Sequence, residues 1–160
     1  MKSRDRDRTI EISEKINLEN LPFKINKNKL NELFTDIAED FSQTLKNIND
    51  LKKIKWCLST AKKAKVFSVI YLANENGKSI YKEEISKLLS EYSYKTIATI
   101  VDEGMAKGYY VELDPVDKKN LDKKIKNIRP SLDVMSEFYN WNISRIERSY
   151  KIIEKFKKTP

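Results

Sequence analysis

The chain has 160 residues, of which 39% are hydrophobic and 35% are charged, and its formal net charge is +8. This length fits one compact domain with helical extensions, while three glycines and four prolines are too few for a turn-rich β-sandwich. The chain has no histidine and a single cysteine, which excludes histidine-based acid/base catalysis, an internal disulfide and the usual zinc sites. We therefore expect no metal and no cofactor.

Residues 1–27 begin with alternating charges and include Pro22, and they show no helical period. They predict a flexible amino-terminal arm, with at most a short extended piece around Ile10 and Ile12. The charged start is unlike a signal peptide, and apolar runs such as 66–73 are too short to cross a bilayer. We expect a cytoplasmic protein without membrane contact.

A helical apolar stripe begins after Asn28 and predicts an amino-terminal dimerisation helix over residues 28–58. Apolar side chains recur there every three or four residues, at Leu30, Leu33, Phe34, Ile37, Phe41, Leu45 and Ile48. The carboxy-terminal residues 131–160 predict a second long helix of this kind. Its stripe contains Met135, Phe138, Tyr139, Ile146, Tyr150 and Ile153. The apolar face of this second helix is broader than one small domain needs to cover, and the amino-terminal helix carries a similar stripe, so we expect both to be buried against a second copy of the chain.

The central residues 59–130 predict three helices followed by a β-hairpin. The first helix spans about residues 59–74 and ends near Gly77, and a lone Ile80 precedes a short helix over residues 82–89. Ser93 caps the third helix, which Gly108 closes. The period then changes to two, which indicates strands over residues 109–113 and 121–128 around a charged turn.

Five short motifs follow this order of elements. They are Glu84-Ile-Ser-Lys-Leu-Leu89, Ser93-Tyr-Lys-Thr-Ile97, Ile100-Val-Asp102, Lys107-Gly-Tyr-Tyr-Val111 and Ile128-Arg-Pro-Ser-Leu132. Together they resemble the winged-helix regulators of the MarR type, over about residues 60–156. The fold class expected is therefore mainly α with a small β-hairpin, a winged helix-turn-helix flanked by long dimerisation helices. The resemblance implies an obligate homodimer whose recognition helices enter successive major grooves of DNA.

The chain departs from this family pattern at two instructive places. Gly104 stands where the family buries a leucine, which costs roughly 1 kcal/mol of helix propensity. At the tip of the wing, Asp117-Lys118-Lys119 replaces the usual Asp-x-Arg. Lysine lacks the planar fork with which arginine binds in the minor groove.

Two acid-poor basic stretches mark candidate phosphate contacts. Residues 51–74 contain six lysines and no carboxylate, and residues 118–129 contain six basic residues and one acid. The alternative interpretation is a solvated, lysine-rich surface. Together with the start of the recognition helix, these stretches give the predicted DNA-binding residues: Ser93, Tyr94, Lys95, Thr96, Ala98, Thr99, Lys118, Lys119, Lys123, Lys124, Lys62, Lys63 and Lys65.

The predicted function is a sequence-specific, double-stranded DNA-binding transcription regulator, a repressor acting as a homodimer. Alternatives are a winged-helix adaptor that docks another protein, and a replication or partition initiator of the same fold. The sequence shows no nucleophile motif and no phosphate-cradling glycine loop, so we expect no enzyme.

The sequence does not decide whether the protein binds a small-molecule effector. The aromatic residues that would line its pocket, or simply fill the core, are Trp56, Phe67, Tyr71, Phe138 and Trp141. Cys57 is interpreted as a buried thiol, with a redox switch as the alternative.

Overall fold

The computed structural model describes residues 6–112 and 127–159, and these residues are mainly helical. Within them, two short 3₁₀ helices lie at Leu18–Asn20 and Lys27–Lys29. The α-helices are α1 (Arg6–Lys15), α2 (Leu30–Ile48), α3 (Lys52–Cys57), α4 (Ala61–Glu75), α5 (Lys82–Leu88), α6 (Tyr94–Ala106) and α7 (Leu132–Phe156).

Two short strands, β1 (Tyr110–Glu112) and β2 (Ile128–Pro130), pair in an antiparallel sheet. Ile80 extends this sheet by one bridge, because the Ile128 amide donates to its carbonyl oxygen at 2.8 Å. The predicted fold class, mainly α with a small antiparallel strand pair, is confirmed. The return strand reaches Pro130, two residues beyond the predicted end, and residues 113–126 lie outside the described part of the chain.

The chain divides into two compact units. One contains the residues up to Asn47 together with those from Trp141 onward, and the other runs from Ile48 to Asn140. The core of the second unit, which carries the predicted site, is apolar and includes Ile54, Val66, Phe67, Ile70, Ile85, Ile97, Val101, Tyr110, Ile128 and Val134.

Local signals in the second unit place its helices where the sequence predicts them. The Thr60 hydroxyl caps α4 by accepting from the Lys63 amide, and the Ser93 hydroxyl caps α6 by accepting from the Thr96 amide. Gly77 and Gly108 have φ angles of 66° and 76°, so each supplies the left-handed conformation that ends a helix.

The single helix predicted over residues 28–58 is wrong, since α2 ends at Ile48 and α3 is a separate helix. A carboxylate far away in sequence caps the start of α3. Glu137 of α7 accepts hydrogen bonds from the amides of Lys53 and Ile54, at 3.1 and 3.0 Å. These amides lie in the first turn of α3, where helical N–H groups have no partner within the helix. Glu137 therefore stabilises the start of α3, whose N-cap residue Leu51 makes no side-chain capping bond.

In the first unit, α2 packs against the later part of α7 around a small core of Leu30, Leu33 and Phe156. A half-buried polar network joins the same helices. The Arg148 guanidinium contacts the carboxylate of Asp40 and the hydroxyls of Thr44 and Ser144. The network fixes which residues of the two helices face each other.

The expectation of an arm without a helix is wrong for residues Arg6–Lys15, which form α1. Thr9 is buried, and its hydroxyl donates to the side-chain oxygen of Asn31 on α2. Ile12 and Ser13 are half-buried on the same side, whereas Ile10 is exposed. Because the packed face contains two hydroxyl residues, it produced no apolar period in the sequence.

Apolar side chains remain exposed on both long helices of the first unit. Phe41 of α2 is 64% exposed and Ile146 of α7 is 67% exposed. Further exposed members of the two predicted stripes are Ile37, Leu45 and Tyr150, with Ile143 beside them. No helix within the described ranges is long and apolar enough to cross a membrane.

Candidate nucleic-acid interface

The buried side of α6 is apolar, whereas its outer side is polar. Its buried side carries Ile97, Ile100, Val101 and Gly104. With 3.6 residues per turn, Lys95 and Thr99 fall on the opposite side, and both are exposed. The outer face of this helix is therefore polar and free to contact a ligand along its first two turns.

A cleft of about 370 Å³ lies between the start of α4 and the outer side of α6. The described residues that line it are Thr60, Lys62, Lys63, Lys95, Thr96, Thr99 and Ile100, and none of these is acidic. Five of the predicted DNA-binding residues therefore meet here, although more than thirty positions separate the first from the last.

Three lysines give the cleft its charge. None of the ion pairs formed by the described residues involves Lys62, Lys63 or Lys95. No carboxylate in the described part of the chain therefore neutralises their ammonium groups. A concave, acid-free surface of this kind favours the binding of an anion.

Lys63 is positioned by an aromatic ring. Its Nζ lies 4.5 Å from the centroid of the Trp56 ring, a cation–π contact. The Trp56 indole N–H donates to Glu103 Oε1 at 3.3 Å, and the ring packs edge-on against Tyr109 with centroids 5.5 Å apart. Side chains from α3 and α6 thereby hold one wall of the cleft.

Lys65 does not join the other lysines of α4 at the cleft. Its ammonium pairs with Glu91 at 3.1 Å and lies 5.4 Å from the centroid of the Tyr92 ring. The hydrogen bond with Glu91 raises the pKa of Lys65 above its ordinary value. Lys65 is therefore an already paired cation, and its prediction as a phosphate contact gains no support.

The hydroxyl groups at the start of α6 are partly occupied within the protein. Ser93 Oγ accepts from the Thr96 amide and lies 3.0 Å from Thr96 Oγ1. Thr99 Oγ1 donates to the Lys95 carbonyl oxygen at 2.7 Å. In this rotamer, Thr99 offers a ligand an acceptor oxygen and a methyl group.

Tyr94 and Ala98 lie on the side of α6 that faces α5 and do not line the cleft. The Tyr94 hydroxyl donates to Glu83 Oε1 at 3.2 Å. Burial and the nearby Glu83 charge raise the pKa of Tyr94, so its hydroxyl stays protonated and can donate. Tyr94 is 46% exposed and would reach a ligand only beside this carboxylate.

The acidic residues of α6 have partners within the protein. Asp102 pairs with Lys82 of α5, and Glu103 accepts from the Trp56 indole. Both residues lie beyond Thr99, in the second half of the helix. Neither carboxylate lines the cleft, and the Lys82 ammonium reduces the repulsion that Asp102 would exert on a phosphate.

The predicted wing lysines Lys118, Lys119, Lys123 and Lys124 lie outside the residues that the structure describes. Arg129 is the described basic residue nearest to them in the sequence, and it is exposed on β2 opposite Val111. It was not among the predicted site residues, although it belongs to the same basic stretch.

The aromatic residues predicted to line an effector pocket or fill the core are divided between the two units. Phe67, Tyr71 and Phe138 pack together in the second unit with ring centroids 4.9 to 5.7 Å apart, whereas Trp141 belongs to the first unit. Phe67 is buried and Tyr71 and Phe138 pack against the main core, which favours the core interpretation.

Cys57 is a fully buried free thiol, and burial raises its pKa to about 11. Because only the thiolate is a good nucleophile, this environment favours an inert thiol over a redox switch. Among the described residues, no three acidic or cysteine side chains lie close enough together to hold a metal ion.

Sequence reasoning did not assign Thr60, Trp56 or Ile100 to the site. Thr60 carried a usable signal, since a threonine directly before an apolar helix is a typical N-cap. Trp56 carried no such signal, because its contact with Lys63 exists only once α3 and α4 are folded together.

Comparisons with protein-family models, curated proteins and solved structures found no match to this chain.

Proposed function

We propose that this protein is a sequence-specific, double-stranded DNA-binding transcription regulator, acting as a homodimeric repressor of the MarR-like winged-helix type. The observation that carries the proposal is the cleft between α4 and α6, where three threonines meet three lysines that form no ion pair with a described carboxylate, and where none of the described lining residues is acidic. A concave cationic surface beside an exposed helix face is the electrostatic footprint expected for a DNA backbone.

The arrangement of elements in the second unit supports the same proposal. A helix, the Ile80 bridge, the short α5, α6 and an antiparallel strand pair follow one another as in a winged helix-turn-helix. In this interpretation α6 is the recognition helix. Gly108 ends α6, and β1 and β2 form the base of the wing.

On DNA, α6 would enter the major groove with its amino-terminal half. Lys95 is suited to donate to guanine, and the Thr99 methyl group is suited to pack on thymine. Lys62 and Lys63 would hold the backbone beside the groove, where contacts set position but carry no base information.

The proposed homodimer accounts for the exposed apolar residues of the first unit. Phe41 and Ile146 are each more than 60% exposed on long helices. Extended apolar faces of this kind on a soluble domain usually mark an interaction surface. A second copy would cover them and place two recognition helices on one duplex.

Fluorescence anisotropy with a random-sequence duplex, titrated at several salt concentrations, tests the proposed function. The wild type should bind with an affinity that falls steeply with salt, and Lys95→Glu should weaken that binding strongly. Lys46→Glu, the same change of charge at an exposed site on α2, is the matched control and should bind like the wild type. Absent or salt-insensitive binding by the folded wild type would refute the proposal and leave the protein-docking adaptor as the better account.

A further inference from the structure

The ammonium of Lys63 lies 4.5 Å from the centroid of the Trp56 ring, a closer contact than that of Lys62 with the Tyr92 ring at 5.7 Å. Trp56 is itself held by Glu103. We infer that the cleft is a preorganised site for a single backbone phosphate of the duplex, with Lys63 as its cation and Trp56 as a positioning residue. The inference rests on the proposed function, and it assigns separate roles to the lysines of α4.

The chemistry of the lining residues suits a phosphate. Lysine ammonium groups and threonine hydroxyls donate hydrogen bonds and attract negative charge, and the described lining residues include no carboxylate. The apolar contribution comes from Ile100 on the protein side of the cleft. A deprotonated phosphodiester oxygen can accept from the ammonium groups and from the Thr60 hydroxyl, whereas the Thr99 hydroxyl already donates to the Lys95 carbonyl oxygen.

The contact with Trp56 reduces the conformational entropy that Lys63 loses when it binds a phosphate. A free surface lysine loses much of its side-chain freedom when it binds a ligand. Lys63 is half-buried and its ammonium already rests on the ring, 4.5 Å from the centroid. The edge-on packing of Trp56 against Tyr109 keeps that ring in place. Lys63 therefore gives up less freedom on binding than an unrestrained lysine.

Lys65 provides a natural contrast only two positions away. Its ammonium lies 3.1 Å from a carboxylate oxygen of Glu91, and Lys65 does not line the cleft. Binding a phosphate there would require breaking an existing ion pair. Two lysines of one helix, with equal charge, thus differ in availability because of their neighbours.

The salt dependence of duplex binding measures the number of phosphates that the protein neutralises. Lys63→Met should reduce the slope of log K against log salt by about 0.9, the value for one phosphate contact. Lys65→Met, the matched control, should leave the slope unchanged. Equal slopes for the two variants, with steep binding by the wild type, would overturn the phosphate site and leave the proposed function intact.

Trp56→Phe tests the positioning role separately from charge. Phenylalanine forms a weaker cation–π contact and lacks the indole N–H that donates to Glu103, so duplex binding should weaken by about two- to fivefold, with an unchanged salt slope. In the Lys63→Met background the same change should have no further effect. A loss of affinity of the same size in both backgrounds would assign Trp56 a general structural role and refute its positioning role.

A free phosphate ion is the other source of the same chemistry. In a Trp141→Phe background, Trp56 emission reports on the ring beside Lys63, and the probe is inorganic phosphate without DNA. The inference predicts a change of emission with duplex but no saturating change with inorganic phosphate. A saturating change with inorganic phosphate that Lys63→Met abolishes, together with unchanged emission on adding duplex, would overturn the duplex assignment. If the folded wild type shows no salt-dependent duplex binding, the inference fails together with the proposed function.

Discussion

The ring of Tyr110 occupies the space in which a side chain at Gly104 would lie. A Cβ atom added to Gly104 would lie 2.7 Å from Cε2 of Tyr110 and 3.3 Å from Cη2 of Trp56. The Gly104 carbonyl also accepts the Tyr109 amide at 2.9 Å. The strand that follows α6 therefore turns back directly onto this helix. The glycine, unexpected at a position where the resembling family has leucine, is explained by this close approach.

Gly104→Ala should lower the free energy of unfolding by roughly 1–2 kcal/mol. The added methyl group overpacks the core against Tyr110, and this loss exceeds the gain in helix propensity. Urea denaturation gives the measurement. In a Tyr110→Ala background, the same substitution should instead be neutral or stabilising, because the obstructing ring is gone. Destabilisation of equal size in both backgrounds would contradict the explanation.

Tyr110→Phe should leave the protein equally stable or stabilise it by up to about 1 kcal/mol. The Tyr110 hydroxyl is buried and, among the described residues, has no hydrogen-bond partner of ordinary geometry. Its polar neighbour is the Cys57 thiol, a weak partner. Thermal and urea unfolding measure the difference. A clear loss of stability would show that the contact between hydroxyl and thiol is stronger than this account allows.

The Cys57 thiol should make stability fall as pH rises from about 9 to about 11. Burial raises its pKa from the ordinary 9.0 to about 11, so in this window the unfolded chain loses a proton that the folded protein keeps. The stability that Cys57 contributes is complete below pH 9 and is lost as pH rises through the window. Urea midpoints across this range should fall less steeply for Cys57→Ala than for the wild type. Parallel curves would contradict the shifted pKa.

Arg148→Lys should lower stability by about 1–2 kcal/mol, because lysine cannot reproduce the three contacts of the guanidinium. Arg148 donates to Thr44 Oγ1 at 2.8 Å and to Ser144 Oγ at 2.6 Å, and it also pairs with Asp40. Lys151→Met is the control, since it breaks an exposed pair with Glu147 on the same helix and should change little. Urea denaturation of both variants provides the comparison, and equal effects would contradict a special role for the network.

Ile146→Glu should convert the proposed dimer into a monomer in sedimentation velocity experiments. A charge in the middle of an apolar interface stays unpaired and desolvated, which opposes association. Ile10→Glu changes an exposed isoleucine of α1 and should leave the association state unchanged. A monomeric wild type, or a dimer that persists in Ile146→Glu, would argue against this face as the dimer interface.

The sequence was informative where a structure depends on nearby residues. The ends of α6 could be predicted from Ser93 and Gly108, because capping and a left-handed terminal residue depend on the local sequence. The outward direction of Lys95 and Thr99 follows from the helical period. The break between α2 and α3 was not predictable in this way. It depends on Glu137, whose bonds to α3 span more than 80 positions.

The candidate site also depends partly on local sequence and partly on tertiary packing. The sequence identified the lysines of α4 as a cluster, but it could not distinguish Lys63 from Lys65. Their difference comes from Trp56 on α3 and from Glu91 in the turn before α6. Such neighbours are set by tertiary packing, and no period or motif reports them.

Selection of binding sites from a random duplex library tests the central claim most directly. The account predicts enrichment of an inverted repeat whose half-sites are centred about 10 base pairs, or a multiple of that spacing, apart. Lys95→Ala combined with Thr99→Ala should alter or abolish the enriched half-site. Failure of the folded wild type to enrich any sequence, or an identical enriched site for the α6 variant, would contradict DNA reading by α6.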